Sequence, residues 1–132
     1  MRAAQRLVLG LSAFALAACS VLPPELVPPA LQPRAAVDSY AGALLQGNCA
    51  AVEALSTIEH RPNARIHCER GRIASYTFDD SAEDVGEQEG TFALVVRLRE
   101  DGVLDSFDSW LFVRVERQPD GSWLVDQFGP DP

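Results

Sequence analysis

Thr91-Phe92-Ala93-Leu94-Val95-Val96-Arg97-Leu98-Arg99 is the stretch from which the fold of this chain is read. Phe92, Leu94, Val96 and Leu98 recur at every second position, and the intervening positions end in arginines. A period of two sends one set of side chains to one face of a strand and the other set to the opposite face. The uninterrupted apolar set is the core-facing one. Working outward, Glu100-Asp101-Gly102 carries the chemistry of a tight hairpin turn. Beyond it Phe107, Leu111, Val113 and Val115 share one parity, with Asp108, Trp110 and Phe112 on the other. Pro119-Asp120-Gly121 supplies the next turn, and Trp123 to Phe128 a short last strand. Upstream, Ala74, Tyr76 and Phe78 alternate with Ile73, Ser75 and Thr77. Strands joined by hairpins predict a meandering antiparallel sheet. Trp110 and Phe112, opposite an equally apolar set, predict that at least one strand is covered on both sides.

Before the sheet the period changes. Val37, Tyr40, Ala41, Leu44 and Leu45 fall at i, i+3, i+4, i+7 and i+8, which is one apolar helical face. Gly47 and Asn48 end that helix. Asn48 is placed to cap a second, shorter helix that starts near Cys49 and turns Cys49, Val52, Leu55 and Ile58 inward. Pro62 lies just beyond it. Helices followed by a run of strands predict an α+β fold.

Met1 to Arg6 carries two arginines and no acid, and Leu7 to Ala18 is an unbroken run of apolar or small residues. This is the charged start and hydrophobic middle of a signal peptide, too short to span a bilayer comfortably as a helix. The run ends in Leu16-Ala17-Ala18-Cys19. That quartet resembles the lipobox of bacterial lipoproteins. The resemblance implies cleavage before Cys19, a diacylglycerol on its thiol and acylation of the new amino group. More than one chain passes the threshold for stable anchoring, since each buried CH₂ adds about 0.8 kcal/mol. Pro23, Pro24, Pro28, Pro29 and Pro33 follow within a short span. Proline fixes φ and removes a donor, so this segment predicts an extended spacer. The expected organisation is a signal peptide over 1–18, a lipidated cysteine and proline-rich tether over 19–35, and one folded domain over 36–132.

The 132 residues carry a net charge of −8, and from residue 19 onward nine arginines face 19 acids. So acidic a domain is repelled by nucleic acid and by anionic headgroups. Nucleic acid is therefore excluded as a partner, and the membrane is engaged through the lipid. With Cys19 taken by lipid, Cys49 and Cys68 remain as an even pair. Joined, they close a loop of about 20 residues, a constraint on the order of 3 kcal/mol. The alternatives are a metal pair with His67 or a redox couple, although no C-x-x-C spacing occurs and His60 is the only other histidine. Asp79, Asp80, Glu83, Asp84, Glu87 and Glu89 crowd one connection between strands. Their spacing suits a solvated loop better than a calcium site, which is kept as the alternative.

The stretch Val37-Asp38-Ser39-Tyr40-Ala41-Gly42-Ala43-Leu44-Leu45-Gln46-Gly47-Asn48-Cys49-Ala50-Ala51-Val52 resembles the opening helices of the NTF2-like superfamily, and Asp120-Gly121-Ser122-Trp123-Leu124-Val125-Asp126 its last hairpin. The Cys49 and Cys68 pair is similar to that of small secreted actinobacterial lipoproteins of this type. The resemblance covers residues 36–129. It implies two N-terminal helices packed on a curved antiparallel sheet of about four strands, the sheet wrapping the first helix into a cone. Enzymes of the superfamily, such as ketosteroid isomerase, place Tyr, Asp and His inside that cone. The polar candidates here are Tyr40, His67, Asp108 and Asp126, none in a motif matching those enzymes. Tyr40, Asp108 and Trp110 are the expected cavity residues. No catalytic triad order, phosphate-cradling glycine loop or metal triad occurs, so neither catalysis nor a cofactor is expected. The expected function is a membrane-anchored, extracytoplasmic, non-enzymatic binding or envelope-interaction domain with an envelope protein as its partner. A small apolar-ligand carrier or enzyme using the cone cavity is the alternative, and Trp110, Phe112 and Trp123 form a further candidate docking patch.

Overall fold

The computed structural model describes residues 30–80 and 90–130. The signal segment, Cys19, most of the tether and positions 81–89 of the acidic connection lie outside the described residues.

The first helix, α1, runs Pro33–Gln46. It starts ahead of the expected boundary at 36, because Pro33 takes a first-turn position where a missing N–H leaves nothing unpaired. Ala36, Val37, Tyr40, Ala41 and Leu44 are buried along one stripe. Gly47, at φ 66°, closes the helix in a left-handed conformation that a side chain would strain. Asn48 then caps α2, Cys49–Ala54, by accepting a hydrogen bond from the Ala51 amide at 3.2 Å.

The chain next leaves helical phase. Val125 N–H donates to the Leu55 carbonyl and Thr57 N–H to the Val125 carbonyl, so this short segment runs parallel to the last strand. Leu55 stays buried, whereas Ile58, expected to face inward, is exposed. A third helix follows that the sequence pattern does not announce: α3, Arg61–Arg70. Pro62, read as lying past the end of a helix, instead opens one. Only Ala64 and Cys68 of α3 are buried, so it has no apolar stripe to detect.

Four strands complete the fold: β1 Ile73–Phe78, β2 Thr91–Glu100, β3 Val103–Arg117 and β4 Trp123–Gly129. They pair antiparallel in the order β1-β2-β3-β4, the expected meander. Asp101 (φ 49°) and Gly102 (φ 78°) form the tight β2–β3 turn. Phe92, Leu94, Val96, Val113, Val115, Val125 and Phe128 bury one face of the sheet, and α1 lies against β1, β3 and β4. The result is an α+β fold of three helices and an open four-stranded sheet.

Phe107 shares its parity with the buried Val113 and Val115 but is 65% exposed, and it lies where the β2–β3 register slips between Arg97 and Arg99. Two-sided cover holds only in part: Ala93 of β2 is buried on the face opposite Phe92 and Leu94, whereas Trp110, on that same face of β3, is 54% exposed.

Candidate functional site

The structure does not bring the three expected cavity residues together. Tyr40 is fully buried on the inner face of α1. Its hydroxyl lies 2.9 Å from His60 Nε2, and its ring packs 5.6 Å from Phe128. Burial pushes the Tyr40 hydroxyl far above its ordinary pKa. His60 is held below its ordinary value, first by burial and then by His67, with Asp126 opposing. Both partners are therefore neutral and share one hydrogen bond. The pair ties α1 to the residue preceding α3 and is sealed from water.

Asp108 and Trp110 sit on the opposite side of the sheet, because Val113 and Val115 hold the other parity of β3 against the core. Asp108 accepts a hydrogen bond from Arg97 Nε at 2.9 Å, directly across the β2–β3 ladder. Trp110 Nε1–H donates to Asp79 at 3.0 Å, reaching across β2 to the end of β1. Asp126 accepts from Arg114 at 2.9 Å. These are cross-strand ties on a solvated surface, each worth well under a kcal/mol to about 1 kcal/mol.

Among the hollows of the described residues, one with an apolar floor lies elsewhere. At the end of the sheet where α3 feeds into β1, His67, Arg70, Arg72, Ile73, Leu98, Leu111 and Phe128 enclose a pocket of about 270 Å³. Ile73 and Leu98 are directly paired across β1 and β2. Leu111 and Phe128 complete the floor from β3 and β4. His67 meets Phe128 edge-on at 5.3 Å, so the pocket wall backs onto the Tyr40–His60 pair through one shared ring. A wider hollow of about 770 Å³ between α2 and α3 is shallow; two of its three charged residues, Arg65 and Glu53, pair at 2.6 Å, and Arg61 is the third.

The helix forming the pocket's basic wall is held covalently. Cys49, first residue of α2, is disulfide-bonded to Cys68 of α3, with Cα atoms 5.5 Å apart. Neither sulfur is thus free as a thiolate for a metal with His67. Among the described residues no three His, Cys, Asp or Glu side chains converge as metal ligands, and no helix is long and apolar enough to cross a membrane.

Of the pocket residues, sequence reasoning singled out only His67 for its chemistry. Arg70-Gly71-Arg72, a helix-stopping glycine between two arginines at the entry to a strand, was the one signal that could have marked the place. The chain matches no protein-family model, no curated protein and no solved structure.

Proposed function

We propose that this chain is a lipid-anchored extracytoplasmic binding domain, a trimmed member of the NTF2-like type, that holds a small apolar ligand without transforming it. One observation carries the reading. The inner face of the sheet packs against α1 together with Val52, Leu55, Ala64 and Cys68, and at the α3 end apolar side chains from all four strands line an open pocket. Small-molecule sites are concave and mostly apolar, with a few polar groups at the edge, and this hollow has that character. The buried Tyr40–His60 pair is separated from the pocket by the Phe128 ring and does not open into it, which favours binding over catalysis. Helices followed by an antiparallel meander, with α1 lying against β1, β3 and β4, are in keeping with the cone-type fold. A bridged Cys49–Cys68 pair persists in oxidising compartments, in keeping with export and lipidation at Cys19.

Binding of the neutral fluorophore Nile red tests the pocket. The parent chain should bind it saturably, and Leu98→Trp, which fills the floor, should abolish binding without lowering the melting temperature. Equal binding by both would refute the reading.

A second reading, docking of an envelope protein, is favoured by the exposed Val103, Leu104, Phe107 and Trp110 along the β2–β3 hairpin. Phe107→Asp should then remove crosslinks to envelope proteins and leave Nile red binding intact.

A further inference from the structure

The pocket has a chemically one-sided mouth. Its floor of Ile73, Leu98, Leu111 and Phe128 is apolar, whereas its rim carries Arg70, Arg72 and His67. The arginines at 34, 65, 97 and 114 each meet a carboxylate at 2.6–2.9 Å. The side chains of Arg61, Arg70, Arg72, Arg99 and Arg117 have no ion pair or hydrogen bond among the described residues, and of these Arg70 and Arg72 stand at the pocket. Arg99 lies beside them in an adjoining polar hollow that also includes Glu100 and Asp101. Arg70 and His67 occupy the last turn of α3, where cations offset the negative end of a helix. That account does not extend to Arg72, which follows the helix-ending Gly71. The local field is positive: after burial, Arg70 and Arg72 are what hold His67 below its ordinary pKa.

A hollow with an apolar floor and a cationic mouth complements a molecule with an apolar tail and an anionic head. We propose that the pocket takes a single-chain carboxylic acid, with the chain against Ile73, Leu98, Leu111 and Phe128 and the carboxylate between Arg70, Arg72 and His67. This rests on the reading of the pocket as a ligand site. Guanidinium forks match the two oxygens of a carboxylate and form charge-assisted hydrogen bonds to them. The volume, about 270 Å³, is near the lower limit of small-molecule sites and admits one chain rather than two.

The full chain, extracted from membranes and held in phosphatidylcholine nanodiscs, is titrated calorimetrically with octanoate, octan-1-ol and octyltrimethylammonium, with empty nanodiscs as blanks. Octanoate should bind about tenfold more tightly than octan-1-ol, and the cation should not bind. Arg70→Gln/Arg72→Gln should reduce octanoate to the affinity of octan-1-ol and leave octan-1-ol unchanged. Octanoate, but not octan-1-ol, should raise the pKa of His67, followed by its Cε1–H proton resonance. Equal affinity of the parent for octanoate and octan-1-ol overturns the acid-binding inference and leaves the apolar-pocket reading standing. No binding of any of the three overturns both. Loss of octanoate binding when phosphatidylglycerol replaces part of the phosphatidylcholine assigns the rim to bilayer headgroups and also overturns the inference.

Discussion

Removing the Cys49–Cys68 bridge should loosen the very helix that forms the pocket's basic rim. The bond joins residues separated by 19 positions, and the chain-entropy relation for a loop of that size gives about 3 kcal/mol. Domains of this size hold only about 5–15 kcal/mol in total, so the loss is a substantial fraction. A domain of roughly 100 residues loses about 4–8 °C of melting temperature per kcal/mol, which converts to a fall of about 12–24 °C. The effect should also be local. Apart from Ala64, α3 buries only Cys68 itself, so little apolar packing retains it once the link is cut. Cys49→Ala, or reduction of the parent, should therefore lower the melting temperature followed by circular dichroism. Amide exchange should accelerate first in Arg61–Arg70 while β2 and β3 stay protected. Nile red binding should weaken in parallel, because His67 and Arg70 ride on that helix. A fall of under about 3 °C with α3 protection unchanged would show that packing alone holds the helix, contrary to this reasoning.

Two further predictions concern the buried polar pair and the pH response. Tyr40→Phe keeps the ring against Phe128 but leaves His60 Nε2 unpartnered, so chemical denaturation should show a loss of about 1–3 kcal/mol with the fold retained; no measurable loss would mean His60 finds another partner. His60 and His67 are both held below the ordinary histidine value of 6.5, so as pH falls the unfolded chain takes up protons first. Their contribution is complete above the unfolded value and is lost below it, down to the lowered folded values, at up to about 1.4 kcal/mol per histidine per pH unit. Urea midpoints should drop between neutral pH and mildly acidic pH, and a flat profile across that window would contradict the burial of both rings.

The sheet was legible because each strand buries one side, and one-sided burial writes a period of two into the sequence. The tight turn at Asp101-Gly102 and the Asn48 cap were legible because their backbone conformations select particular residues. Helix α3 was not, since a helix docked by the Cys68 disulfide and the small buried Ala64 needs no apolar stripe. Parity alone also misplaced Asp108 and Trp110. It tells which residues share a face but not which face packs, and Trp110 with Phe112 looks as apolar as the inner set. The register slip near Arg97 moved Phe107 out of the core for a reason invisible in the strand's own composition. The pocket escaped notice because it is assembled from the end of α3 and from residues on all four strands, so no contiguous stretch carries its signature.

The proposed role places the domain outside the cell on a lipid anchor. Intact-mass spectrometry of the chain extracted from bacterial membranes tests this most directly. The predicted species has lost residues 1–18, carries a diacylglycerol at Cys19 and is two hydrogens lighter for the Cys49–Cys68 bond. A species that still begins at Met1, with three unmodified thiols, would contradict anchor, compartment and proposed role together.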